Sequence, residues 1–202
     1  PSHGGRKVFM SKIILISPEH NVSNEILLVQ EMLRLDDSLR FHMRKMNWSK
    51  TNYFEYLQEI NPLFYSRISI HEFHDLQLNF PAIGLHYKEV DREDYVTGKT
   101  HDSTSFHSKK NALELGEEFD YFFCSSIFQS ISKKNYVSSE NWDIHNWEES
   151  VRKKAVALGG MDASKMENAK QMGFDNFAVL GAIWMTKNPL DAFKEIRELC
   201  QK

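Results

Sequence analysis

The segments Ala155-Val156-Ala157-Leu158-Gly159-Gly160-Met161 and Asn176-Phe177-Ala178-Val179-Leu180-Gly181-Ala182-Ile183 decide how this chain is read. Each is a short apolar run ending in glycine, and a helical pattern follows each. Together they spell strand, Gly-Gly turn, helix, strand, Gly turn, helix. Two successive parallel strands with glycine-opened turns build a cradle for a phosphate group. Such a group needs bare backbone N–H donors, and side chains at the turn would hold it away. The last two βα-loops of a (β/α)8 barrel are a common place for this arrangement. Glycine also serves as a cap of helices and strands, so the turns alone leave both readings open.

Working outward, strand and helix signals alternate along the rest of the chain. Lys12–Ser17, Leu39–Met46, Arg67–His71, Ala82–Tyr87, Ser103–His107 and Tyr121–Phe128 read as six further strands. Between them, Asn24 is an N-cap candidate for a helix from Glu25, and Thr51–Ile60 is a helix stopped near Pro62. Ser108–Phe119, Trp142–Lys153, Ala163–Met172 and Pro189–Gln201 read as helices, while Asp91–Asp102 reads as a loop or a shortened helix. Eight strands with intervening helices argue for a single α/β domain, a closed (β/α)8 TIM barrel. The alternative, an open doubly wound sheet, asks for a Gly-rich loop after the first strand, and none stands there. The long Ser- and Lys-rich stretch Gln129–Asn141 is the candidate for a mobile loop or lid.

Composition bounds the function. The chain has 202 residues and a formal net charge of -3, which gives no electrostatic footprint for nucleic acid. It has no apolar run of membrane-spanning length. Two cysteines, Cys124 and Cys200, make no disulfide framework, so a reducing, cytoplasmic setting is expected. Residues 1–10 read as a flexible leader or tag remnant before a start at Met10, and residues 11–202 as the barrel.

The segments resemble thiamine-phosphate synthase and its paralogue, the thiazole tautomerase. Ala157-Leu158-Gly159-Gly160-Met161 is similar to the family's I-G-G-I turn, and Val179-Leu180-Gly181-Ala182-Ile183 to its M-I-S-A-I strand. Ser105-Phe106-His107-Ser108 is similar to S-x-H-S/T. Asp120-Tyr121 through Ile127-Phe128-Gln129-Ser130-Ile131-Ser132-Lys133 is similar to D-Y-…-I-F-P-T-x-T-K. His71-Glu72-Phe73-His74-Asp75-Leu76 and then Gly84-Leu85-His86 follow N-D-R-x-D-L and G-x-H at the same spacing. The resemblance runs from Lys12 to the C-terminus.

It implies a small (β/α)8 barrel that joins hydroxymethylpyrimidine pyrophosphate to thiazole phosphate, with Mg²⁺ assisting departure of pyrophosphate. Its partners are then phosphorylated small molecules, with no nucleic acid or membrane, and self-association as a homodimer follows by analogy. Arg44 matches the arginine of a Q-x-R-x-K strand and is expected to hold pyrophosphate. His42 stands at the Gln of that motif. Met46 stands at its Lys, and Lys45 points to the opposite face. Glu72 and Asp91 match the two Mg²⁺-binding aspartates, although the surrounding G-Q-E-D reads Lys88-Glu89-Val90-Asp91. His71 replaces an Asn facing the leaving group, and Ser105 matches a serine near pyrophosphate. Ser130, Ser132 and Lys133, with Lys134 beside them, match the anion-binding loop. Gly160, Leu180 and Gly181 match the backbone donors of the phosphate cradle. Without the resemblance, Arg44 reads first as a rim salt bridge, Glu72 and Asp91 equally as solvated acids, and Ser105 as a helix cap. Arg44, Ser105 and Lys133 are the expected catalytic residues. The tautomerase places a histidine where this chain has Ser126, so a tautomerase reading would have to draw on His42 or His71 as acid–base group. A phosphate-ligand binder without turnover is the third reading.

Overall fold

A computed structural model describes residues 13–95, 102–128 and 140–201. Eight parallel strands close into a barrel in chain order: β1 (Ile13–Ile16), β2 (Arg40–Met43), β3 (Ile68–Ile70), β4 (Gly84–Tyr87), β5 (Ser103–Phe106), β6 (Tyr121–Ser125), β7 (Ala155–Leu158) and β8 (Asn176–Val179). β8 pairs back onto β1 through Ile13↔Phe177 and Leu15↔Val179. The strands are short and nearly continuous in apolar or buried residues because both faces of a barrel strand are covered.

Alternation sorts those residues into two cores. The outer core lies between strands and helices and takes Ile13, Leu15, Phe41, Met43, Ile68, Ile70, Phe106 and Phe122. The inner core gathers Ile14, Ile16, Tyr121, Phe123, Val156 and Ala178. Strands β2 to β5 instead bury His42, Ser69, His86 and Ser103, so one side of the barrel interior is apolar and the other polar.

The outer helices follow the expected pattern with three corrections. Helix α1 (Glu25–Leu35) begins after Asn24, but Asn24 adopts a left-handed φ of 60° and its side chain makes no capping bond. Asn is among the few non-glycine residues that tolerate this conformation. Helix α2 (Lys50–Glu59) has the full capping box, from Ser49 and Asn52. Helix α3 (Lys109–Leu115) is followed by a 3₁₀ turn over Gly116–Glu118. The helix expected over Trp142–Lys153 shrinks to α4 (Glu149–Arg152), because Trp142 and Ile144 bury themselves from an irregular stretch held by Asp143 Oδ1 and the backbone N–H of His145. The chain from Glu89 to Asp94 is a 3₁₀ helix, which resolves the ambiguous Asp91–Asp102 stretch as far as Tyr95. Helices α5 (Met166–Gln171), α6 (Gly181–Trp184) and α7 (Pro189–Gln201) complete the shell. The proposed leader and most of the Gln129–Asn141 loop lie outside the described residues.

Candidate active site

A cavity of about 730 Å³ opens at the C-terminal end of the barrel. Its walls include Arg44, His71, His86, Ser105, Gly160 and Gly181. The Gly-Gly turn after β7 takes φ of 106° at Gly159 and 61° at Gly160. A Cβ on Gly159 would overlap Ser126 Oγ, so the turn needs glycine for space as well as for conformation. Ser126 Oγ donates to the Phe128 carbonyl at 2.7 Å, which commits the hydroxyl to the backbone. Gly181 opens α6 on the neighbouring wall, with Leu180 just before it.

Arg44 reaches the cavity one residue beyond β2 and pairs with Glu19 at 3.0 Å. Lys45 points the other way, as strand alternation requires. Its ammonium is fully buried, 2.6 Å from Glu25 Oε2 and 5.1 Å from the Trp48 ring centre. Tyr56 Oη donates to the second Glu25 oxygen at 2.9 Å. Burial raises the Glu25 carboxyl pKa, and Lys45 opposes that rise. Met46 is exposed, with its sulfur 3.9 Å from Arg44 Nη2.

Three imidazoles from successive strands converge beneath the cavity. His42 Nδ1 lies 2.9 Å from His71 Nε2, and His42 Nε2 lies 2.6 Å from Tyr121 Oη. The His71 and His86 rings stack at 4.0 Å. His86 is held at both nitrogens, by Ser103 Oγ at 2.9 Å and Ser105 Oγ at 3.1 Å. Burial is the first cause that lowers all three pKa values: well below the usual range for His42 and His71, and to about 3 for His86. All three rings are therefore neutral at pH 7. His42 does not line the cavity; it is fully buried one layer below and meets the cavity through His71. In the sequence, His42 and His71 stand out singly, and nothing there marks a role for His86, Tyr121 or Ser103. Their common signal is a polar residue at the inner face of neighbouring barrel strands.

The two acids expected to hold Mg²⁺ are not members of that three-imidazole group. The Glu72 carboxylate, just beyond β3, accepts from the Lys88 ammonium, and Asp91 lies in the 3₁₀ helix after β4. Both charges act on His74, raising a pKa that burial lowers. Carboxylate oxygens suit Mg²⁺ in donor type, with Lys88 as a competing cation. Ser130, Ser132 and Lys133 lie outside the described residues.

A (β/α)8 barrel whose C-terminal cavity carries an arginine and two glycine turns defines a class of barrel proteins suited to phosphorylated small molecules. The sequence profile of the thiamine monophosphate synthase family matches residues 13–183, and the chain belongs to that family. No curated protein sequence matches it. Among solved structures, it is similar to thiamine phosphate pyrophosphorylase from Bacteroides thetaiotaomicron, with a TM-score of 0.75 and 23% identity over 94% of this chain and 98% of that one. It is also similar to thiamine phosphate pyrophosphorylase from Pyrococcus furiosus, with a TM-score of 0.71 and 18% identity over 94% and 95% of the two chains. At these identities the likeness concerns the fold.

Proposed function

We propose that the chain is a thiamine-phosphate synthase, joining hydroxymethylpyrimidine pyrophosphate to thiazole phosphate with release of pyrophosphate. The observation that carries this reading is one cavity lined both by Arg44, His71 and Ser105 and by the glycine turns at 159–160 and 181. Those two sets of residues suit the two anionic groups the reaction must hold.

In the reaction, the thiazole nitrogen attacks the pyrimidine methylene. The methylene–oxygen bond breaks, and its electron pair leaves with pyrophosphate. Arg44 exchanges Glu19 for the pyrophosphate oxygens, a bidentate pairing suited to a planar guanidinium. Ser105, its hydroxyl against His86 Nε2, turns toward the same group. Gly160, Leu180 and Gly181 receive the thiazole phosphate, which holds the nucleophile in line. Ser130, Ser132 and Lys133 complete the anion contacts. Glu72 and Asp91 would hold Mg²⁺, which supplies charge neutralisation to the departing pyrophosphate. A cytoplasmic, homodimeric enzyme is part of this proposal, and a content of only two cysteines, too few for a disulfide framework, supports a reducing location.

The test is incubation of the purified chain with both phosphorylated precursors and Mg²⁺, with thiamine phosphate read by fluorescence after oxidation. Arg44→Ala is expected to slow turnover ~10- to 100-fold, the worth of a hydrogen bond to a charged group. Arg44→Ala combined with Lys133→Ala should abolish it. Full turnover by that double variant, or no product from the unaltered chain, sinks the assignment.

A further inference from the structure

The barrel interior gathers nitrogen donors where the expected magnesium site gathers oxygen donors. His42 belongs to β2, His71 follows β3 directly, and His86 belongs to β4. One ring nitrogen from each lies within 4.8 Å of the other two, and among the described residues this is the only such group of three. Two nitrogens on a tetrahedral zinc ion, each at ~2.0–2.1 Å, stand about 3.3 Å apart. The 2.9 Å between His42 Nδ1 and His71 Nε2 is already close to that spacing. His86 completes the set by turning its Nε2 from the Ser105 hydroxyl, a partner on the cavity wall.

Two of the three outer nitrogens are already tied. His42 Nε2 faces Tyr121 Oη, which also lies 3.1 Å from Ser69 Oγ, and His86 Nδ1 faces Ser103 Oγ. Metal-bound histidines keep such a partner on the second nitrogen, where it fixes tautomer and ring orientation. With His42 protonated at Nε2 and His86 at Nδ1, the lone pairs of His42 Nδ1 and His86 Nε2 remain for an ion.

The cluster holds no carboxylate, and His71 and His86 line the cavity while His42 does not. An ion there keeps its fourth position toward the cavity, where an oxyanion can balance its charge. Three imidazoles suit zinc, cobalt or nickel, whereas magnesium takes oxygen ligands.

We propose that His42, His71 and His86 bind one divalent transition-metal ion of the zinc or cobalt class, with its open position facing the cavity. This site is distinct from the Glu72 and Asp91 carboxylates and stands independently of the synthase reading.

The test is Co²⁺ titration of the full chain after chelator treatment and dialysis. The expected result is a visible d–d absorption saturating at one ion per chain. Zn²⁺ should displace it, a thousandfold excess of Mg²⁺ should leave it in place, and inorganic phosphate should shift it. His71→Asn and His86→Gln should each lose the band, Tyr121→Phe should weaken binding ~10-fold or more, and exposed His145→Gln should leave it unchanged. Absence of the band, its displacement by Mg²⁺, or its persistence in folded His71→Asn overturns the proposal. Histidine side-chain NMR of the unaltered chain needs no variant. Three imidazoles shifting together on addition of Zn²⁺ support the site, and fewer than three overturn it.

Discussion

At the scale of single residues, Gly159 is where backbone and packing constrain the chain together. Its φ of 106° disfavours any L side chain, and a Cβ would strike Ser126, whose hydroxyl is fixed on Phe128. Gly159→Ala is therefore expected to destabilise by about 2 kcal/mol or more, from the left-handed backbone and the overlap combined. Urea unfolding measures it. A midpoint equal to that of the unaltered chain would show that the turn relaxes freely. Adding Ser126→Ala should recover only part of the loss, since the backbone conformation stays. The need for a glycine turn was legible in Leu158-Gly159-Gly160, because a bare turn between a strand and a helix is local chemistry. Its partner Ser126 was not, because it comes from the end of another strand. The histidine cluster escaped for the same reason. His42, His71 and His86 lie far apart in sequence, and only closure of the barrel brings their rings together.

At the scale of elements, the strands were the most legible part, since a buried parallel strand is written as an unbroken apolar run. The helices were less so. Trp142–Lys153 carries helix-like spacing, yet Trp142 and Ile144 gain more by reaching the core from an irregular segment than a helix there would return. Alternation did locate Lys45, just beyond β2, on the face opposite Arg44, but not its partner. That pair ties the end of β2 to α1 through Glu25 and to α2 through Tyr56. Removing one member of a buried pair leaves the other charge stranded, so Lys45→Met is expected to cost about 3 kcal/mol or more. Lys45→Met with Glu25→Gln should recover most of it, because no uncompensated charge remains. Denaturant titration of the two variants separates the outcomes. Equal losses in the single and double variants would mean that packing of the lysine stem, not its charge, holds the elements together.

At the scale of the whole molecule, the interior is divided between an apolar side around Ile14, Ile16, Val156 and Ala178 and a polar side around the histidines. On the cavity wall, Arg44 meets Glu19, while Lys88 and Glu89 of the same wall pair with Glu72 and Arg92. In the proposed reaction, pyrophosphate takes the place of Glu19 on Arg44. The buried rings also give the fold a distinctive dependence on acid. An unfolded histidine titrates near 6.5. The folded rings titrate lower, His86 at about 3. Between those values the unfolded chain binds protons that the folded chain refuses, so stability is complete above about pH 6.5 and falls as pH drops below it. Each ring contributes a slope of up to ~1.4 kcal/mol per pH unit, so the loss grows as pH falls below the unfolded value. Glu25 acts in the opposite sense, since its raised pKa gives stability that is lost as pH rises through its folded value. Most carboxylates titrate below this window, which leaves it to the histidines. Urea midpoints of the chelator-treated chain from pH 7.5 to pH 5 should therefore fall steeply below pH 6.5. His86→Gln should lower the slope by about a third, the share of one ring in three. A flat profile would mean that the cluster accepts protons in place, and the neutral stack could then not stand.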